Sequence, residues 1–229
     1  MRSSLVGSEM CIRDRMGLVV LANQSLDELE ALVTPLFNQI PNNNIGPNYP
    51  TTQAFTDLQL PAVLTSRSLK DTYQLAFNFP IPSTLDVYRN KPESYLSNLV
   101  GHEGEGSLHH FLNEKGWIES LGSGSQDFDR NTSLMIVNIE LTEAGRAHVA
   151  EITDLLFQYF EMLRDQPPQD WLYQEQAKVA ELGFRFQEQG STVGFVYQMA
   201  PRLDQFPAED LLVAPYLMEA FDPALIEQF

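Results

Sequence analysis

Read as a pattern of apolar and polar positions, the chain passes repeatedly between the period of two expected of strands and the 3.6-residue period expected of helices. Gly17 to Ala22 (GLVVLA) is a continuous apolar run rich in β-branched residues and predicts a buried strand. A helix is predicted directly after it. Ser25 as N-cap and Glu28 three residues on form a capping box, and Leu29, Leu32, Val33, Leu36 and Phe37 make one apolar face; Pro35 is expected to kink the helix and Pro41 to end it. From Pro41 to about Ser68, asparagines, Gly46-Pro47 and further prolines break every period, the mark of a connector between two domains. Thr72 to Phe79 alternates as a half-buried strand that Pro80 and Pro82 should stop. Lys91-Pro92 opens a short helix with the stripe Tyr95, Leu96, Leu99 and Val100, ending at Gly101.

A second short helix is predicted over Ser107–Lys115, with Leu108, Phe111 and Leu112 inward and Gly116 at its stop. Trp117–Leu121 and Ser133–Leu141 predict an antiparallel hairpin around a polar loop, Gly122–Thr132. Thr142 caps a long helix whose Val149, Ile152, Leu155, Leu156, Tyr159, Phe160 and Leu163 recur at helical spacing. Pro167-Pro168 separates it from a helix running from Pro168 to about Gln187, which should bury Leu172, Val179, Leu182 and Phe186; further helices are predicted over Val193–Met199 and Glu209–Phe221. These elements define an α+β fold. Met1 to Arg15 follow neither period and precede a second methionine, Met16; they look like translated vector sequence and are set apart from the fold. The competing reading, a signal peptide, would have only Met16–Ala22 as its apolar segment. With that start, and with the final ALIEQF stopping in mid-pattern, the chain reads as a fragment of something longer.

Composition narrows the function. Among 229 residues, 43% hydrophobic, no apolar stretch approaches the roughly 18 that a membrane helix needs, so a transmembrane protein is excluded. Fourteen basic against 31 acidic side chains give a net charge of -17, the wrong sign for phosphate backbones or anionic lipid, which argues against nucleic acid and membrane partners. A solvated acidic surface, or one that draws in basic peptides, remains. Cys11 is the only cysteine, so neither an intrachain disulfide nor a cysteine metal cluster can form.

The densest polar constellation is His102-Glu103-Gly104-Glu105-Gly106, with His109 and His110 beyond it. Both zinc-peptidase patterns, H-E-x-x-H and H-x-x-E-H, fail at Gly106, and glycines so closely spaced disfavour the helix that would hold the ligands. Two readings remain open: a helix-to-helix turn without a ligand, or a turn whose Gly101, Gly104 and Gly106 expose backbone groups to a peptide. No nucleophile elbow, dinucleotide fingerprint or phosphate loop is present.

Lys91 to Trp117, KPESYLSNLVGHEGEGSLHHFLNEKGW, resembles the second domain of the insulinase/pitrilysin family of zinc metallopeptidases. GLVVLANQSLDELEALVTPLFNQIPN resembles the end of that family's first, catalytic domain, and LAFNFPIP the opening strand of the second. MIVNIELTEAG, the helices around RDQPPQDW, and GFRFQEQG continue the pattern in order. The resemblance implies an antiparallel sheet covered by helices, with 16–41 as the tail of the catalytic domain, 42–68 as connector and 69–229 as a truncated, non-catalytic substrate-binding domain. It implies a metalloendopeptidase acting in an enclosed chamber, with peptide substrates and the remaining domains of the parent chain as partners. Its zinc would be held by the catalytic domain and not by this fragment, which would be inactive alone. The substrate's amino-terminal end would be anchored by Gly101, His102 and Gly104 in the turn and by Leu121, Ser123 and Ile136 in the hairpin. Asn98, Glu105 and Ser123 depart from the pattern of the insulin-degrading branch. The alternative within the family is a non-catalytic structural or processing subunit. A soluble location, cytoplasmic or periplasmic, is expected.

Overall fold

The computed structural model describes residues 16–41, 54–56, 60–69, 72–188 and 190–229. The predicted vector-like segment and most of the connector lie outside the described residues. Two compact units are present: Met1–Pro50 with Phe186–Pro215, and Thr51–Arg185 with Tyr216–Phe229.

In the first unit, α1 (Leu26–Phe37) starts as its sequence requires. Ser25 accepts from the Glu28 N–H, and the Glu28 carboxylate accepts from the Ser25 N–H at 2.9 Å. Pro35 lies inside its last turn. Gly17–Ala22 does not form the predicted strand: no described strand pairs with it, and a strand needs a neighbour for its backbone groups. Helix α6 (Thr192–Gln205) extends the predicted Val193–Met199 and is capped by Ser191. The predicted helix over Glu209–Phe221 is absent; turns occupy this stretch, where Pro215 cannot supply an interior helical N–H.

The second unit holds an antiparallel sheet of three strands among the described residues, in the order β1 (Tyr73–Pro82), β3 (Thr132–Leu141), β2 (Ile118–Asp127). Two strand predictions are corrected. Strand β1 runs through Pro80 and Pro82 to pair with Thr132, because it lies at a sheet edge, where one side makes no ladder bonds and a missing N–H costs nothing. Gly122–Asp127, predicted as loop, is strand, since β3 offers a partner for each of these residues as far as Ser133. Thr84 and Ser133 hydroxyls both donate to Asp127 Oδ1, at 2.8 and 2.9 Å, and close the hairpin's far end.

One face of the sheet carries Val137, Ile139 and Leu141, flanked by Leu75, Phe77 and Phe79 of β1. It is covered by α2 (Pro92–Val100), α3 (Leu108–Glu114) and α4 (Val149–Arg164), whose Val100, Leu112, Ile152 and Leu156 are buried in the same cluster. Phe160 of α4 meets Phe79 edge-on at 5.5 Å between ring centroids. Phe111, predicted inward, is 44% exposed and lies under the Lys115 ammonium instead. The long helix begins later than Thr142: a single 3-10 turn, Gly145–His148, precedes α4, and the Thr142 hydroxyl accepts from the Gly145 N–H.

Helix α5 (Asp170–Arg185) buries Tyr173 against Tyr95 of α2 and Ile226 of α7 (Pro223–Ile226). Its predicted core residues Val179 and Leu182 are exposed, as is Phe186 just beyond its end. The period is helical, and the side chains at these three positions are nonetheless more than half exposed. Gly183 lies near the end of α5 with only ordinary van der Waals contact, to Tyr216, in reach of an added methyl. Gly183→Ala is expected to stabilise the chain by about 0.5–1 kcal/mol, read as a shift in the urea midpoint.

Candidate functional site: a cleft beside the edge strand

A cleft of about 630 Å³ opens where the carboxyl end of α2 approaches β2. Helix α2 supplies one wall. Lys91-Pro92 starts it and Gly101 ends it, so its apolar stripe turns to the core while Ser94, Ser97 and Asn98, at helical spacing on the opposite stripe, line the cleft. The other wall is Leu121 to Ser125 of β2, the strand at the second edge of the sheet. Gly101 makes the approach possible: a Cβ there would stand 3.1 Å from the Ser97 carbonyl oxygen and 3.3 Å from the Ser123 nitrogen.

The predicted site residues separate into two groups. Gly101, His102, Leu121 and Ser123 line the cleft. Gly104 stands just outside it and shapes the turn, its N–H donating to Nδ1 of His102 at 3.1 Å. Ile136 belongs to the central strand, opposite Gly124, and by the alternation of the pleat points to the sheet face away from Val137 and the helices; it is not part of the lining. Ser94, Ser97 and Ser125 also line the cleft without having been singled out by sequence, as does Glu103, which sequence marked only as part of an incomplete zinc pattern. Only the small polar stripe on α2, complementary to its apolar one, marks the first two in advance.

The lining carries one carboxylate, Glu103, and no lysine or arginine. Glu93, on the buried side of the same helix, is 4% exposed; one carboxylate oxygen accepts from the Ser94 hydroxyl and the other has no partner. Burial pushes its carboxyl above the usual value, a shift that the neighbouring Lys91 ammonium opposes without reversing. The folded chain therefore favours the protonated acid more than the unfolded chain does. That increment is complete below the unfolded carboxyl value, near 4.5, and is lost as pH rises through the raised folded one. Glu93→Gln removes the titration, so its stability relative to the unchanged chain should rise between about pH 4.5 and neutrality. Thermal melts across that range check the sign; a parallel or falling difference would contradict it.

Zinc is the metal that the family resemblance implies. Among the described residues, no group of three or more His, Cys, Asp or Glu side chains could hold a metal ion, and Nδ1 of His102 already accepts the Gly104 N–H. These residues do not fit a zinc centre, and no chemical step on a metal is assigned to them.

Sheet, helices and cleft define an α+β domain with an open strand edge, and two family patterns match the chain. "Peptidase M16 inactive domain" matches residues 9–179, and "Middle or third domain of peptidase_M16" matches residues 184–229. The chain belongs to the peptidase M16 (insulinase) family. It is 38% identical over 213 residues to the insulin-degrading enzyme of Homo sapiens, covering 93% of this chain and 21% of that protein. To the nardilysin of Pongo abelii it is 34% identical over 217 residues, covering 92% and 19% respectively. The crystal structure of pitrilysin superposes with a TM-score of 0.80 at 22% identity, over 90% of this chain and 22% of that one, and shares its fold. The chain spans about a fifth of the length of these relatives. No helix among the described residues is long and apolar enough to cross a membrane.

Proposed function

We propose that this chain is the substrate-anchoring part of a zinc-dependent metalloendopeptidase, with 16–41 as the tail of the catalytic domain, 42–68 as connector and 69–229 as the second domain. It binds the amino-terminal end of a peptide and leaves metal chemistry to the catalytic domain. The observation that carries the reading is the cleft itself: an accessible strand edge, Leu121–Ser125, faced by a helix end that Gly101 allows to come close. A peptide can add to such an edge through main-chain hydrogen bonds without a catalytic group. Of the two sheet edges, β1 carries Pro80 and Pro82, which blunt strand addition, whereas the cleft section of β2 carries glycine and serine.

Anchoring one end of a peptide raises its effective concentration at a second site, so it favours peptides long enough to reach both. The single carboxylate of the lining and the net charge of -17 both favour a cationic peptide end, an attraction that weakens with salt. In the parent peptidase, Gly101→Val is expected to raise KM about tenfold for long peptides and little for very short ones, because the new side chain wedges against Ser97 and Ser123. Steady-state kinetics on a length series checks this. Equal effects at all lengths would remove the anchor.

A further inference from the structure

Among the residues lining the cleft, two serine hydroxyls are buried without a hydrogen-bond partner. Ser97, one turn before Gly101, is 8% exposed, and its Oγ lacks a hydrogen-bond partner. Ser123 lies opposite Val137, on the helix-facing side of the sheet, and its Oγ is also buried and unpartnered. Both residues line the cleft, and a Cβ on Gly101 would stand 3.7 Å from the Ser123 Cβ. Other buried serines of this unit are used: Ser107 Oγ accepts from the His110 N–H, and Ser133 Oγ donates to Asp127. A buried hydroxyl without a partner is uncommon in a folded chain, and two on facing walls of one cleft are complementary to an incoming polar group.

We propose that Ser97 and Ser123 form a specificity-determining pair that selects peptides whose leading residue is small and hydroxyl-bearing, serine or threonine, over those that lead with leucine or phenylalanine. This deepens the anchoring reading and rests on it. A leading hydroxyl donates to one serine and accepts from the other. An alkyl or phenyl group returns neither bond, so only the hydroxyl-led peptide supplies partners to two groups that are already out of contact with water. Space acts in the same direction, since Gly101 holds the two walls close.

The test uses two peptides of about ten residues, with free amino ends and identical except for a leading serine or leucine. Each carries a fluorophore at its carboxyl end and is titrated into the full chain by anisotropy. The unchanged chain should bind the serine-led peptide at least about tenfold more tightly. Ser97→Ala combined with Ser123→Ala should bring the ratio below about twofold by weakening the serine-led peptide, while each single replacement leaves an intermediate ratio. A ratio near one in the unchanged chain, or a ratio that survives the double replacement, overturns the hydroxyl pair. If neither peptide binds, or if Gly101→Val leaves both affinities unchanged, the anchoring reading itself fails, which is a different result from binding without discrimination.

Discussion

Gly145→Ala should cost about 3 kcal/mol or more of stability, the largest effect expected from a methyl added at a described glycine. The new Cβ would fall far inside van der Waals contact with the carbonyl oxygen and carbon of Trp117, so backbone must yield to backbone. Neither side is free to move. The Trp117 oxygen accepts from the Thr142 N–H at 3.0 Å, the Thr142 hydroxyl donates to the Gly116 carbonyl at 2.7 Å, and that same hydroxyl accepts from the Gly145 N–H. Trp117 also stacks on His148, at 4.2 Å between ring centroids. Displacing the carbonyl therefore loosens the corner where the α3–β2 turn meets the start of α4. Gly104 provides the contrast: a methyl there meets only the ring of His102, an exposed side chain that can swing away. Urea unfolding of the two alanine variants checks the ranking, and similar midpoints would show that the corner is not packed as described.

The features legible in sequence were those decided within one turn of chain. Ser25 and Glu28 are three residues apart, and their reciprocal bonds need nothing else. Ser107 caps α3 in the same local way, and Gly116 ends it at φ +67°. The alternation from Tyr73 to Phe79 survives because the face it creates is the one that α4 covers. Features set by distant partners were not legible. Gly122–Asp127 has turn-like composition, yet a long β3 turns it into strand. Gly17–Ala22 has ideal strand composition and, among the described residues, no strand to pair with.

The cleft divides along the same line. Gly101 ends a helix whose apolar stripe is readable in sequence, whereas the face on which Ile136 lies depends on pleat parity, which changes with a single residue of register. Ser97 and Ser125 are ordinary surface-type residues by composition. Only the approach of α2 to β2 makes them part of a site.

Leu112→Ala is expected to destabilise the chain by roughly 2–5 kcal/mol and to loosen the cleft before the rest of the unit. Helix α3 has seven residues, too few to persist without packing, and its buried anchors are Leu108 and Leu112. Leu112 is fully buried in the cluster that also contains Val100, the last residue of α2, and Leu121, which lines the cleft. The turn from Gly101 to Gly106 is thus held by a packed residue on each side, and a void at position 112 frees one of its ends. Hydrogen exchange should accelerate at residues 101–115 and 121–125 more than in α5, with weaker peptide binding under conditions where the chain remains folded. Phe111→Ala, on the same helix but 44% exposed, removes a larger side chain and should cost less than about 1 kcal/mol, mainly the contact with Lys115. Comparable losses at the two positions would mean that α3 is not pinned through Leu112, and the turn would then need another support.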